Sequence, residues 1–166
     1  GAAVPDDLDG RSFLPVLRGQ KQTHKSYAYS LQTTLGVNGA QQPYGIRTVV
    51  DSRFRYIRNL FPENEFSIPL SRNLINETTS KTENDRLFAQ RFFKRPKEEL
   101  FDVIKDPYCQ KNLAHNSQYK KDLDRLSKKL SRWMISQNDK GRITEQEAES
   151  RQAEWVKSRK KGSKTP

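Results

Sequence analysis

The chain has 166 residues, of which 33% are apolar, and a formal net charge of +11 at pH 7. This length favours one domain with a modest core, and no segment approaches the roughly 18 consecutive apolar residues of a membrane span. The single cysteine, Cys109, excludes an internal disulfide framework and any multi-cysteine metal site. No basic segment followed by an apolar run opens the sequence, so no signal peptide is predicted.

The excess positive charge is concentrated toward the C-terminus. Residues 1–116 carry 17 basic and 13 acidic side chains, whereas residues 117–166 carry 14 basic and 7 acidic ones. Segment 160–166 has no apolar side chain to bury and is predicted to be a disordered tail, either simply solvated or used for electrostatic docking. The charge favours an anionic partner such as nucleic acid, a sulfated glycan or a membrane surface, without identifying one.

Three segments near the N-terminus have recognisable local patterns. Residues 12–19 hold an apolar strip that favours a short helical turn, or an extended strip packed on something larger. The aromatic residues of 24–31 favour a strand. Residues 36–43 have the Gly, Asn and Pro content of a loop.

A β-hairpin is the clearest prediction in the first half of the chain. Residues 44–50 and 54–60 have strand composition, and Asp51-Ser52-Arg53 supplies a tight connection between them. The two-residue period of the second strand places four side chains on one face, namely Phe54, Tyr56, Arg58 and Leu60. Arg58 therefore needs a polar partner or a position at a sheet edge.

Helices dominate the predictions for the second half. The apolar spacing within 73–93 is helical and ends before Pro96, and residues 99–104 favour a strand. From Ser117, apolar residues recur at three- and four-residue steps, which predicts a long amphipathic helix. Its stripe consists of Tyr119, Leu123, Leu126, Leu130, Trp133 and Met134. A further helix over 144–158 has acidic residues at its start and basic ones at its end, as the helix dipole favours.

Together these elements predict an α+β fold. A small antiparallel sheet of about four strands would be packed by the long C-terminal amphipathic helix, with a further terminal helix beyond it. The predicted division of the chain is a sheet-plus-helix unit over 1–135, followed by an extra helix and basic tail over 136–166.

The residues alone predict no catalytic or metal-binding site in this chain. His24 and His115 have no Cys, His or acidic neighbour at the spacing of metal ligands. No glycine-rich phosphate loop and no serine hydrolase signature occurs. A catalytic role for Cys109 would need a positioned histidine, and none is indicated.

A series of short motifs resembles the C-terminal signature of type I sulfatases, within the alkaline phosphatase superfamily. The family pattern "ELYD…DP…E..NLA" before a long helix is similar to Glu99-Leu100-Phe101-Asp102, Asp106-Pro107 and Asn112-Leu113-Ala114 here. Residues 9–19 resemble the family's "DGxSFLPLLxG" segment. The strand motifs "YPIRSVR" and "xYKYIxNL" resemble residues 44–50 and 53–60. The order and spacing are closest to the sulfamidase, or heparan N-sulfatase-like, branch.

The resemblance implies that the chain is the C-terminal portion of an enzyme that hydrolyses sulfate esters or sulfamates of a sulfated carbohydrate. In this family the nucleophile is a formylglycine made in a Cys/Ser-x-Pro/Ala-x-Arg motif of the N-terminal domain, which also holds calcium. The segment starting at Cys109 fails that motif at its third position, so the chain alone is expected to be inactive. The implied partners are that catalytic domain and the sulfated substrate, and the implied location is periplasmic or secreted.

One loop departs from the family pattern. Where sulfamidase-like sequences often read "GEHTTRG", residues 30–36 have Leu31, Gln32 and Leu35 at the Glu, His and Arg positions. The resemblance makes Gln32, Thr33 and Thr34 the candidate substrate-binding residues. A connecting loop with no ligand is the alternative reading of this segment.

Two other functions stay open at this point. A free-standing basic module could bind nucleic acid or a sulfated glycan, although no nucleic-acid-binding motif occurs and acids are interleaved through the helices. A non-catalytic relative of sulfatases used as a scaffold is the third possibility. The sulfatase reading predicts an exposed apolar or aromatic surface for the catalytic domain, with Phe13, Leu14, Tyr29 and Phe54 as candidates.

Overall fold

The computed structural model describes residues 10, 12–33, 43–66, 82–148, 150–151 and 154. The elements, in chain order, are α1 (Leu14–Leu17), β1 (Ala28–Gln32), β2 (Ile46–Val50), β3 (Phe54–Asn59), α2 (Glu83–Phe93), β4 (Glu98–Asp102), a 3₁₀ turn (Ser117–Tyr119), α3 (Lys120–Ser136) and α4 (Arg142–Gln146). The predicted α+β class, with four strands and a long helix, is confirmed. Within these described residues, no helix combines the length and apolar character needed to cross a membrane.

The sheet is an antiparallel meander in the order β1-β2-β3-β4. The predicted hairpin is confirmed as β2 and β3, which pair with Val49 opposite Tyr56. Its turn forms because the Asp51 carboxylate accepts hydrogen bonds from the backbone N–H groups of Arg53 and Phe54, at 2.8 and 2.7 Å. An aspartate that bonds the backbone two residues ahead is a standard way to close a short turn.

The main core lies between one face of the sheet and α3. The predicted helical stripe is confirmed, since Leu126, Leu130 and Met134 are buried at four-residue intervals. They pack against a set of sheet and loop residues: Val49, Phe54, Tyr56, Leu100 and Leu113. Asn116 caps the 3₁₀ turn that leads into α3, because its side chain accepts a hydrogen bond from the Gln118 N–H.

Arg58 finds the polar partners that the sequence pattern demanded. On the face covered by α3, its Nη2 donates to the hydroxyl oxygens of Ser127 and Ser131, both at 3.0 Å. Its Nε donates to the Tyr56 hydroxyl at 3.3 Å. A charged group inside the sheet–helix layer is thereby satisfied by the helix that covers it.

Several predicted boundaries are wrong by a few residues. The strand predicted over 99–104 is Glu98–Asp102, because the Asp102 carboxylate accepts bonds from the N–H groups of Ile104 and Lys105 and turns the chain. The helix predicted over 73–93 begins at Glu83 within the described part, and 73–81 lies outside it. The terminal helix begins at Arg142 instead of Thr144, while segment 160–166 is outside the described residues.

The predicted exposed surface needs one correction. Phe13 and Leu14 are 49% and 45% exposed, as expected for a surface that faces another body. Phe54, however, is buried, since the two-residue period of β3 turns it toward α3, where it meets Tyr119 edge to face. Tyr29 is half-buried because its ring stacks on Trp133 at a centroid distance of 4.9 Å.

Replacing Leu130 with alanine is expected to lower the free energy of unfolding by about 2–5 kcal/mol, because the lost methyl groups leave a cavity beneath the sheet. Ile135→Ala is the matched control on the same helix; Ile135 is 77% exposed, and its change should stay within about 0.5 kcal/mol. Urea denaturation followed by circular dichroism measures both variants. Similar losses for the two would contradict the assigned helix face.

Candidate functional site

The candidate substrate-binding residues lie at the end of the edge strand β1. Gln32 is its last residue, and both Gln32 and Thr33 are half-buried. Thr34 and Leu35 lie outside the described residues, so the structure brings together only the first two of the three candidates. Leu31 is 52% exposed. Because strand side chains alternate, Gln32 is on the sheet face opposite to the one that α3 covers.

A buried arginine holds this end of β1. Arg47 on β2 is 1% exposed, and its Nη1 donates to the backbone carbonyl oxygen of Gln32 at 3.2 Å. The rest of the guanidinium is bound by two acids: Nε lies 2.5 Å from Asp139 Oδ2, and Nη2 lies 2.7 Å from Glu145 Oε1. This Arg47 network therefore joins the candidate loop to the segment after α3.

The close approach of Glu145 to the sheet requires a glycine at position 45. A Cβ atom there would lie 2.6 Å from Glu145 Cγ and 2.9 Å from Leu60 Cδ1. Neither neighbour has room to withdraw, since Glu145 and Leu60 are buried at 3% and 8% exposure. Gly45 thus makes space for the acid that completes the Arg47 network.

Within the Arg47 network, the charged forms of Arg47 and Asp139 stabilise each other. Burial alone would raise the pKa of Asp139, but hydrogen bonds from Arg47 and from the Gly141 N–H hold it below its ordinary value. Burial alone would lower the pKa of Arg47, but Asp139 and Glu145 together raise it. Both shifts stabilise the charged forms of Arg47 and Asp139, so this ion pair holds the structure together.

The residues of the sulfatase-like signature also have structural positions. Asn112 Oδ1 accepts bonds from the N–H groups of Leu100 and Ala114, both at 3.0 Å, so it ties β4 to the entrance of α3. Asp102 is 2.9 Å from Arg53 Nη2, in addition to closing its own turn. Asp106 accepts the N–H of Lys111 at 2.8 Å. These are contacts that hold the loops between strands and helix.

No arrangement of nucleophile and base occurs among the described residues. Cys109 is half-buried with φ +53°, and its Sγ is 3.5 Å from Arg55 Nη1. Burial raises the pKa of its thiol above the ordinary value, the opposite of what an activated cysteine needs. Across the described ranges, no group of three or more His, Cys, Asp or Glu side chains could hold a metal ion.

Sequence reasoning missed the Arg47 network. One signal was available, because an arginine between apolar residues on a predicted strand shares a face with Val49 and must be compensated if that face is buried. Its acidic partners could not be found this way, since Glu145 is 98 residues further along the chain.

Arg47→Met is expected to lower the free energy of unfolding by about 3–5 kcal/mol, because it leaves two buried carboxylates without their cation. Adding Asp139→Asn and Glu145→Gln should recover part of this loss, since no uncompensated buried charge then remains. Arg86→Met is the control: Arg86 and Glu83 are 61% and 71% exposed, and the cost should stay below about 1 kcal/mol. Urea denaturation that ranked the control as the costlier variant would refute the assigned burial.

The depressed pKa of Asp139 predicts an acid-dependent contribution to stability. Its folded pKa is below the unfolded value of about 3.9, so the ionised carboxylate stabilises the fold above that pH and this contribution disappears as the pH falls through the folded pKa. Asp139→Asn should therefore be less stable than the parent at pH 7, with a difference that narrows below about pH 4. Denaturation curves over pH 2–7 measure this difference, and a gap that widened in acid would contradict it.

Comparison with curated proteins finds sulfatases. An ulvan-active sulfatase from Formosa agariphila is 32% identical over 143 residues, which cover 84% of this chain and 27% of that protein. A second ulvan-active sulfatase from the same organism is 37% identical over 112 residues, covering 61% of this chain and 18% of the relative. Human N-sulphoglucosamine sulphohydrolase is 27% identical over 148 residues, covering 80% of this chain and 27% of the enzyme. No family model matches the chain.

Solved structures agree at the level of the fold. A 2-O GAG sulfatase and a candidate sulfatase from Bacteroides thetaiotaomicron each superpose with a TM-score of 0.52, at 24% and 23% identity. Both matches cover 82% of this chain and 22% of the solved chain. The chain thus spans between 18% and 27% of the length of the curated relatives it matches. The matched curated relatives are sulfatases, and the chain corresponds to the C-terminal portion of a sulfatase.

Proposed function

We propose that this chain is part of a sulfatase that hydrolyses sulfate esters or sulfamates of a sulfated carbohydrate. The observation that carries the proposal is the set of relatives, whose names refer to ulvan and to N-sulphoglucosamine, both of them carbohydrates. The chain contributes structure and part of the rim of the substrate pocket. The alternative of a free-standing basic module is not favoured, because the matched relatives are sulfatases across most of the chain's length.

The catalytic machinery is assigned to an N-terminal domain of the same enzyme. The family implies calcium and a formylglycine nucleophile there, and the described residues of this chain offer neither a metal-ligand cluster nor a matching cysteine motif. No chemical step is therefore assigned to this chain. The expected location of such an enzyme is periplasmic or secreted.

An exposed apolar surface supports contact with that catalytic domain. Phe13 caps α1 and is 49% exposed, while Leu14 and Leu17 within the helix are 45% and 73% exposed. Exposed apolar side chains clustered within one helical turn are typical of a surface that another body covers. Leu31 on the edge strand β1 is also exposed, at 52%.

We also propose that the chain divides into a unit over 1–135 and an extension over 136–166. The two parts are in contact, because Asp139 and Glu145 in the extension form ion pairs with Arg47 in the sheet.

Gln32, Thr33 and Thr34 are proposed to contact the substrate at the pocket rim. Support comes from the position of Gln32 and Thr33 at the exit of an edge strand, where Arg47 fixes the Gln32 carbonyl while leaving the side chain on the other face. Amide and hydroxyl groups suit hydrogen bonding to sugar hydroxyl and sulfate oxygens. The apolar Leu31 and Leu35 in a usually polar loop favour a substrate that differs from that of sulfamidases.

The test uses the whole sulfatase that contains this chain. Gln32→Ala is expected to raise KM for a sulfated oligosaccharide about tenfold, because a hydrogen bond to a charged group commonly contributes that factor to affinity. The kcat should change little, since the residue binds remote parts of the substrate. The 166-residue chain alone is expected to release no sulfate from the same substrate.

Ser30→Ala is the matched control, because Ser30 is an exposed polar residue two positions earlier on the same face of β1. It should leave KM unchanged. Sulfate release is measured by ion chromatography. Sulfate release by the isolated chain would contradict its assignment as a non-catalytic portion. Equal KM values for Gln32→Ala and Ser30→Ala would contradict the proposed contact between Gln32 and the substrate.

A further inference from the structure

A pocket of about 770 Å³ lies on the sheet face opposite to α3. It is far larger than a packing defect and within the size range of small-ligand sites, about 300–1,000 Å³. Its apolar surface is formed by Ile57 on β3, Phe101 on β4 and Phe92 on α2. The pocket is therefore bounded by two strands, a helix and the loop that follows β4.

The charged side chains that line this pocket are mostly basic. Four cations border it, namely Arg91, Lys94, Arg95 and Lys111, against a single acid, Glu99. Within the described part of the chain, none of these four side chains is in an ion pair; Glu99 accepts a hydrogen bond from Asn59 Nδ2 at 2.8 Å. Unpaired cations around a concave surface create a positive potential that attracts anions.

Aromatic side chains line the same pocket as the basic ones. Tyr108 is 84% exposed in the loop after β4 and lines the pocket together with the half-buried Phe92. Arg95 lies over the Phe92 ring at 5.5 Å, which holds its guanidinium against the pocket wall. Exposed aromatic faces beside cations offer a flat apolar platform and charge to the same ligand.

The wall that carries Tyr108 is already ordered by hydrogen bonds. The N–H of Cys109 donates to the Asp106 carbonyl at 3.0 Å, and Arg91 Nη1 donates to the Gln110 carbonyl at 3.2 Å. The Lys111 N–H donates to the Asp106 carboxylate. A pocket held in this way loses little conformational freedom when a ligand binds.

We propose that this pocket binds an anionic segment of a sulfated oligosaccharide, at a position separate from the rim around Gln32. The cations would bind sulfate groups, and Tyr108 would pack on a sugar ring. Gln32 and the pocket lie on the same sheet face, at β1 and over β3 and β4, so they are separated by two to three inter-strand spacings, about 10–14 Å. A chain of several sugars can cover such a distance, so the pocket would hold a part of the glycan remote from the reacting sulfate. The identity of the ligand rests on the proposed function.

The experiment measures binding of a heparin-derived sulfated tetrasaccharide to the full 166-residue chain by calorimetry. Lys94→Gln combined with Lys111→Gln is expected to weaken binding about tenfold or more, since two charged contacts are lost. Tyr108→Ala should weaken it further. The same tetrasaccharide without sulfate groups should not bind measurably.

Lys121→Gln combined with Lys128→Gln is the matched control, because it removes the same charge from exposed positions on α3. It should weaken binding less than about twofold at physiological salt, where charges beyond the Debye length are screened. Equal effects of the two pairs, or absence of binding by the parent chain, would overturn the proposal. Binding of oligothymidylate at the same pocket with equal affinity would overturn the assignment to a sulfated glycan.

The outcome is separable from that of the proposed function. If the whole enzyme hydrolyses a sulfated sugar while the pocket variants bind the tetrasaccharide normally, only the pocket assignment fails. If the pocket binds as expected but the whole enzyme releases no sulfate from any sulfated sugar, only the proposed function fails. Circular dichroism of each variant confirms that binding losses do not arise from unfolding.

Discussion

The arrangement of this domain depends on the ion pairs and hydrogen bonds of the buried Arg47. A guanidinium at 1% exposure is tolerated only because Asp139 and Glu145 neutralise it and the carbonyls of Gln32 and Ile46 accept its remaining donors. These partners belong to the edge strand and to the segment after α3. One side chain therefore links the candidate loop to the segment after α3, where Glu145 packs against Gly45.

Residues of the sulfatase signature also stabilise the structure through polar contacts. Asp102, Asp106 and Asn112 satisfy backbone N–H groups where the chain leaves β4 and approaches α3. Backbone donors in such a tight connection must find partners, and short polar side chains supply them. The likeness to sulfatases here follows from residues that build the subdomain, while the catalytic groups are proposed to lie in another part of the enzyme.

The two faces of the sheet have different roles in the domain. The face under α3 is filled by apolar side chains and by Arg58 with its serine partners, and this packing stabilises the fold. The opposite face carries Gln32 at one edge and the cationic pocket at the other. Both proposed contacts with a sulfated glycan thus use the face opposite to α3, where Ile46 and Ile57 also pack in a second, smaller apolar cluster.

Local patterns in the sequence determined most of the architecture. The hairpin, the helical stripe from Leu126 to Met134 and the need of Arg58 for partners all follow from periods of two and 3.6 residues, which act over short distances. Only the tertiary structure decided that Arg47 meets Glu145, 98 residues away, that Phe54 is buried under α3, and that Lys94, Tyr108 and Lys111 border one pocket. Such contacts depend on how strands and helices pack, and residue spacing along the chain does not encode that geometry directly.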